Sequence, residues 1–342
     1  MKRSEKLIVT WLLTGCFLIY VMVVVGGLTR LTHSGLSMVE WKPAGSLPPM
    51  NDSDWCIQFD KYKSSPEFKL INKEFSLDDF KHIFWFEFVH RFIGRTIGMI
   101  FLIPFFYFLF TKKFPPGFLK KMIILLIIGG LQGLLGWFMV KSGLVKNPYV
   151  SHYRLAAHLI TAFTAFGFAF WFALDLIYPK TEIGEGHKLK KSVQIFFMVV
   201  VLQIIYGAFV AGLKAGYLFP TFPKMGDNWI PSDISALKPL WRNFLEGQSA
   251  VQFVHRCIAY VILFLTVRIF FLSRKLNLST VQKRIIFALL TITSLQILLG
   301  IFTVLFSVPV SVALLHQTGA FFLFSIILFL LHRLRNSDLV NI

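Results

Sequence analysis

Eight apolar runs dominate this chain, at roughly 7–28, 83–110, 120–140, 153–177, 191–213, 249–271, 284–306 and 310–331. Each is long enough to cross about 30 Å of hydrocarbon as a helix. Prolines and short basic loops separate them, as in Lys112-Lys113-Phe114-Pro115-Pro116-Gly117. The chain therefore reads as an all-α integral membrane protein. Composition agrees: 56% of residues are hydrophobic, mean hydropathy is +0.67 and only 15% are charged, too few for a soluble surface of this size. The 39 phenylalanines suit lipid-facing helices and pockets for large flat ligands.

A net charge of +18 invites comparison with nucleic-acid binders. Its Lys and Arg, however, sit mostly in short loops between the runs, where they act as topology signals, so no nucleic-acid partner is expected. The N-terminus, the 111–121, 179–191 and 272–284 loops and the tail with Arg333 and Arg335 carry most of them. The positive-inside rule then places both termini in the cytoplasm and makes residues 30–82 and 214–248 periplasmic excursions. The first excursion mixes Asp52, Asp54, Asp60, Glu67, Glu74, Asp78 and Asp79 with a similar number of bases, and is expected to fold over the outer mouth of the bundle. The basic start, Met1 to Lys6, leads into an apolar run too long for a signal-peptide core, with no small-residue cleavage site after it. A retained first helix and a bacterial inner membrane follow, in preference to an organelle import precursor.

Glu87-Phe88-Val89-His90-Arg91 on the second run returns as Gln252-Phe253-Val254-His255-Arg256 on the sixth. Gln132-Gly-Leu-Leu-Gly136 on the third run matches Gln296-Ile-Leu-Leu-Gly300 on the seventh. His158 on the fourth matches His316 on the eighth, and Gly26-Gly27 on the first answers Gly207-Ala208 on the fifth. Landmarks repeated in one order predict a duplication: two four-helix bundles, 1–178 and 179–342, inserted the same way up as a parallel repeat.

Four of the nine histidines stand apart, because His90, His158, His255 and His316 all fall in the outer third of an even-numbered run. Imidazole inside a membrane is costly unless partnered and marks function by default. Two facing histidines from separate helices commonly hold a haem iron from both sides. Zinc usually takes three or four clustered ligands with carboxylate or thiolate among them. The plainer alternative is histidines satisfied by interhelical hydrogen bonds. The other histidines receive no role: His82 and His152 lie at the outer boundary, His187 and His332 on the cytoplasmic side among basic residues, and His33 in a glycine-flanked turn. The three cysteines, Cys16, Cys56 and Cys257, form no CxxC and indicate neither zinc nor a disulfide framework, so Cys56 is taken as free.

Arg91 and Arg256 follow the first histidine of each pair. They are candidate partners for a haem propionate, as is Arg30 at the outer end of the first run, with pairing to protein carboxylate or backbone as the alternative. Glu87 lies three residues before His90 and so shares its helix face. Gln252 holds the matching place and takes up no proton. Two ligand pockets with one acid imply a division of labour, chemistry in the first and electron transfer in the second; a purely structural glutamate is the alternative.

These residues resemble the haem A synthases of the Cox15/CtaA family over all eight runs. The most specific marks are Gly26-Gly-Leu-Thr-Arg-Leu-Thr-His-Ser-Gly-Leu-Ser37, the Glu87–Arg91 and Gln252–Arg256 pair, and His158 and His316. The resemblance implies conversion of haem O to haem A by oxidising a ring methyl to a formyl group. It implies that His90 and His158 flank the substrate haem, that His255 and His316 ligate a haem b cofactor, and that Glu87 takes part in catalysis. It brings in haem O synthase, cytochrome oxidase assembly factors, an outside electron acceptor and a homo-oligomer as candidate partners. Some relatives carry a cysteine pair in the first outer loop; with Cys56 alone, this chain resembles the branch without it.

Two other classes compete. A bis-haem cytochrome exchanging electrons with quinone would need no Glu87 and two equivalent pockets. A transporter or haem-handling chaperone would need a more evenly polar path, whereas the cytoplasmic halves of these runs are almost wholly apolar.

Overall fold

The computed structural model describes residues 1–41, 45, 47–144, 148–179 and 185–334; Arg335 of the basic tail lies outside them. Among the described residues the secondary structure is helical, apart from one isolated bridge between Met225 and Asn228. The helices are α1 (Arg3–Leu31), α2 (Asp52–Lys63), α3 (Pro66–Leu70), α4 (Leu77–Phe110), α5 (Phe118–Gly143), α6 (His152–Ile177), α7 (His187–Gly212), α8 (Asn243–Glu246), α9 (Gln248–Arg274), α10 (Thr280–Leu305) and α11 (Val310–Leu334). Eight of them, all but the short α2, α3 and α8, are long and apolar enough to span a membrane, one for each apolar run. The chain is a multi-pass membrane protein.

Helix ends follow caps as well as hydropathy. α4 begins six residues before its apolar run because Ser76 and Asp79 form a reciprocal capping box (Ser76 N–H to Asp79 Oδ2, 2.9 Å). Ser279 and Gln282 cap α10 in the same way. Inside α4, Pro104 has no N–H to offer the carbonyl of Ile100. The indole Nε1 of Trp11 on α1 donates to that freed carbonyl at 2.9 Å, so the gap in one helix becomes a tie to another.

The helices group into two compact units, Lys2–Ala169 and Phe170–Ile342, so the division falls within α6 and not in the loop after it, where the halves 1–178 and 179–342 put it. In the second unit α7 packs on α9, α9 on α10, α10 on α11 and α11 back on α7, a closed ring of four helices. In the first, α1 and α5 both pack on α4. Ile103, Phe110, Ile127, Phe264 and Phe287 face outward, as lipid-facing positions should. One histidine departs from its expected setting. His332 is buried, its Nε2 3.1 Å from Asp175 Oδ1 and its ring edge-on to Trp171, and is not merely one of a set of basic surface residues.

The first excursion builds a small core of its own against the start of α4. Met38, Trp55, Phe59, Tyr62, Phe80, Ile83 and Phe84 form its buried cluster. Tyr62 and Phe80 are wholly buried and stacked with centroids 5.1 Å apart, each ring worth roughly 1.5–3 kcal/mol of burial. The second excursion is stapled by buried Asn243, whose amide exchanges hydrogen bonds with both backbone groups of Leu237 and donates to Leu240 O.

Beneath the first cluster, Glu67 is buried and accepts from Tyr62 Oη at 3.1 Å. Burial pushes its carboxyl up from 4.5 to about 7, against the lowering effect of the Tyr62 hydrogen bond. The folded value lies above the ordinary one, so the stability Glu67 contributes is complete below pH 4.5 and is lost as pH rises through 7. Amide exchange over 51–84 should quicken between pH 5 and 8 beyond its intrinsic rate, and Glu67→Gln should flatten that dependence. An unchanged pH profile in the variant would reject Glu67 as its source.

Candidate functional site

Each unit carries two of the four membrane histidines near one end of its helices. In the first unit His90 lies on α4 and His158 on α6, close enough to interact electrostatically. In the second, His255 on α9 and His316 on α11 are related in the same way. All four keep partial accessibility although they lie within helix bundles.

A glycine on the neighbouring helix makes room for each ring. A Cβ at Gly26 on α1 would come within 3.1 Å of His90 Nε2, and one at Gly136 on α5 within 3.3 Å of His158 Cε1. A Cβ at Gly207 on α7 would stand 3.4 Å from His255 Cε1, and one at Gly300 on α10 only 2.9 Å from His316 Cε1. These are the glycines of the matched sequence landmarks, and their shared task is close approach of backbone to imidazole.

One helical turn below three of these glycines sits a glutamine. Gln132 Nε2 lies 3.3 Å from His158 Nε2. Gln203 Nε2 donates to the backbone carbonyl of His255 at 3.0 Å and lies 3.4 Å from its Nε2. Gln296 Nε2 donates to the carbonyl of His316 at 2.8 Å, while His316 Nδ1 lies 3.1 Å from the backbone carbonyl of Gln296. Gln203 escapes sequence reasoning because the landmark on its helix, Gly207-Ala208, does not include it. The spacing Gln-x-x-x-Gly, present at 132–136, 203–207 and 296–300, is the signal that finds it.

Glu87 is buried, with both oxygens hydrogen-bonded. Its Oε1 takes a 2.5 Å ion pair from Arg91, one helical turn on. Its Oε2 accepts from Ser37 Oγ (2.7 Å) and the Met38 N–H (2.8 Å), both in the segment that follows α1. Arg91 donates to the carbonyls of Met38 (2.9 Å) and Glu40 (3.0 Å) and lies 5.0 Å from the Trp41 ring. Sequence reasoning does not find the roles of Ser37 and Met38, since nothing local marks a backbone N–H as a carboxylate partner.

The second unit repeats the arrangement without the charge. Gln252 is buried and donates to Phe219 O at 3.3 Å, and Arg256 donates to the carbonyls of Phe219, Thr221 and Lys224 at 2.8–3.2 Å. Both arginines thus clamp the segment after the preceding membrane helix, the protein-pairing alternative to a ligand carboxylate. Their Nε atoms alone are buried without a protein partner. Arg30, in the last turn of α1, also has interactions within the protein. Cys56 is an exposed free thiol on α2.

The donor set suits a haem better than a bare ion. Among the described residues no group of three or more His, Cys, Asp or Glu side chains could hold a metal. What each unit offers is two imidazoles from two helices, room beside each ring, and Nδ1 atoms on His158 and His255 that are buried with no partner. Axial ligation of a flat macrocycle needs just such a pair.

A family model described as "COX15-CtaA: Cytochrome oxidase assembly protein" matches residues 9–328. A Flavobacterium johnsoniae protein named "Heme A synthase" is 46% identical over 98% of this chain and 99% of its own length. Its namesake from Flavobacterium psychrophilum is 47% identical over 97% and 99%. "Heme A synthase COX15" of Arabidopsis thaliana is 42% identical over 97% of this chain and 76% of the plant protein.

The two clamps differ in what their loss strands. Arg91→Met leaves a buried carboxylate without its counter-charge, at a cost of about 3–5 kcal/mol. Arg256→Met leaves only carbonyls unpaired, about 1–3 kcal/mol. Thermal unfolding in detergent should therefore place Arg91→Met well below Arg256→Met, with Glu87→Gln added to Arg91→Met recovering part of the loss. Equal melting points would show that the Glu87 charge contributes nothing to the clamp.

Proposed function

The chain belongs to the COX15-CtaA family of cytochrome oxidase assembly proteins, and we propose that it is a haem A synthase, oxidising a ring methyl of haem O to the formyl group of haem A. The observation that carries this reading is the asymmetry between two like histidine pairs: only the first has a carboxylate one turn away. His90 and His158 hold the substrate, and His255 and His316 hold a haem b cofactor. When bound, that cofactor supplies one-electron redox capacity for passing electrons to an outside acceptor.

Oxidation of a methyl to a formyl group removes four electrons and breaks two C–H bonds. A fixed negative charge beside the reacting carbon favours the positive charge that develops there, and a carboxylate can also accept a proton. Glu87 is built for this. Ser37 Oγ, the Met38 N–H and Arg91 fix both of its oxygens. A carboxylate offers about four acceptor positions, so capacity remains on it. It is therefore held in position before substrate arrives, and no reorganisation accompanies the step. Arg91 and Arg256 hold the segments over the two pockets, and their Nε–H groups are the donors left for a haem propionate.

The two units read as a duplicated four-helix half inserted twice in the same sense. The matched landmarks support this, as do the left-handed residues His33 and Lys214 that follow the cap residues of α1 and α7. The basic loops support a bacterial inner membrane with both termini cytoplasmic. Haem O synthase and cytochrome oxidase assembly factors are the partners this place calls for.

Haems extracted from protein made in cells that also make haem O should be haem b together with haem A or a hydroxylated precursor. Glu87→Gln should keep haem b and lose formyl product. His255→Ala or His316→Ala should lose haem b, while His90→Ala and His158→Ala chiefly impair turnover. Full product from Glu87→Gln would overturn the catalytic assignment, and haem b alone in the wild type would favour an electron-carrying cytochrome.

A further inference from the structure

The two histidine pairs differ in what lies below them along the helices. On α5, Met122, Gly129 and Gly136 are seven residues apart and so share one face, the face that Gly136 turns to His158. Met122 is wholly buried there. Gly129 leaves open space instead: a Cβ on it would meet nothing within 4 Å among the described residues, and the same holds at Gly133, one turn nearer His158. On α10 the matching series is Ile286, Thr293 and Gly300, with Ile297 at the place of Gly133. Thr293 is wholly buried, and its hydroxyl accepts from Thr266 Oγ1 on α9 at 3.4 Å.

α4 and α9 differ at the same level. The repeat that pairs His90 with His255 pairs Phe101 with Thr266. Phe101 turns to α1, its ring 5.2 Å from that of Trp11. A threonine tie thus closes the second bundle about 10 Å below Gly300, where the first has a glycine on one helix and a ring held by α1 on the other. Gln132 and Gln296 differ too, although Oε1 of each is buried without a hydrogen bond. Oε1 of Gln296 packs into the notch at Gly319 on α11, and α6 carries Thr161 at the matching place.

Resting on the haem reading above, we propose that the open space along α5 at Gly129 and Gly133 takes the isoprenoid tail of haem O, and that Thr293 and Ile297 bar a tailed haem from the second pocket. Haem O and haem b share ring, iron and propionates, so histidine pairs of one design cannot tell them apart by ligation. The tail can: an apolar chain has room below Gly136, whereas below Gly300 its place is taken by Thr293. The hydroxyl at the root of the tail also gives Gln132 Oε1 a donor that haem b lacks. Gly129 is then the residue that sends substrate and cofactor to different pockets.

Full-length protein is purified from cells that make both haems, and its haems are extracted and separated by chromatography. The wild type should hold haem b together with tailed haem, as haem O, haem A or a hydroxylated intermediate. Gly129→Leu, which fills the open space, should lower tailed haem about tenfold or more and keep haem b. Thr293→Gly with Ile297→Gly should raise tailed haem at the expense of haem b. Undiminished tailed haem in Gly129→Leu, with haem b bound, would overturn the tail assignment and leave the haem reading intact. If Gly129→Leu loses haem b as well, its fold has failed and the Thr293→Gly/Ile297→Gly protein decides: an unchanged haem ratio there would overturn the assignment. Wild-type protein with no tailed haem would overturn the haem reading itself, and the tail site with it.

Discussion

Hydrocarbon offers no hydrogen bonds, so every polar group that this chain carries into the membrane must find its partner in protein. The packing follows from that demand. The carbonyl left open by Pro104 receives the Trp11 indole, and helix serines and threonines bond back to carbonyls one turn earlier, as Thr29 does to Val25 and Thr266 to Ile262. The largest polar groups, Arg91 and Arg256, reach from α4 and α9 to the segments after α1 and α7, Arg91 to two backbone carbonyls as well as the Glu87 carboxylate and Arg256 to three carbonyls. Those two clamps tie the segments after α1 and α7 to the helices that carry His90 and His255.

The exchange of Glu87 for Gln252 reverses hydrogen-bond polarity as well as charge. The carboxylate accepts from the loop, from Met38 N–H and Ser37; the amide donates to it, at Phe219 O. Each loop is accordingly presented differently, with the Met38 N–H turned to Glu87 and the Phe219 carbonyl turned to Gln252. An amide at 87 keeps an acceptor for the Met38 N–H and Ser37 and gives up the charge that pairs with Arg91. The two histidine pairs are alike, and the segments bonded beside them are not.

Much of this is legible in the amino-acid sequence alone. The eight membrane helices follow from runs of apolar residues, a signal that needs no tertiary context, and the four histidines follow from the cost of imidazole in lipid. Helix ends are less legible where a cap carries the helix past its apolar run, as Ser76 does for α4. Partners distant in sequence are not legible: Glu87 to Met38 N–H, His332 to Asp175, and the stack of Tyr62 on Phe80 in the outer cluster. Gln203 lies between. Its spacing to Gly207 repeats two others, but glutamine in an apolar helix acquires meaning only when the neighbouring histidine is placed beside it.

The contact of each imidazole with a facing glycine ties two positions into one unit of inheritance. On the proposed haem reading, a lineage that kept this fold and gave up one haem would lose its need for the histidine, and in the same stroke the glycine would be free to gain a side chain. The reverse path is narrowest at Gly300, where an alanine Cβ would stand 2.9 Å from the ring, and open at Gly207, where it would make ordinary contact. Gly300 is the tightest of these ties and Gly207 the loosest. Loss of a ligand pair in such a bundle should therefore act as an evolutionary ratchet, easier to pass through than to return from.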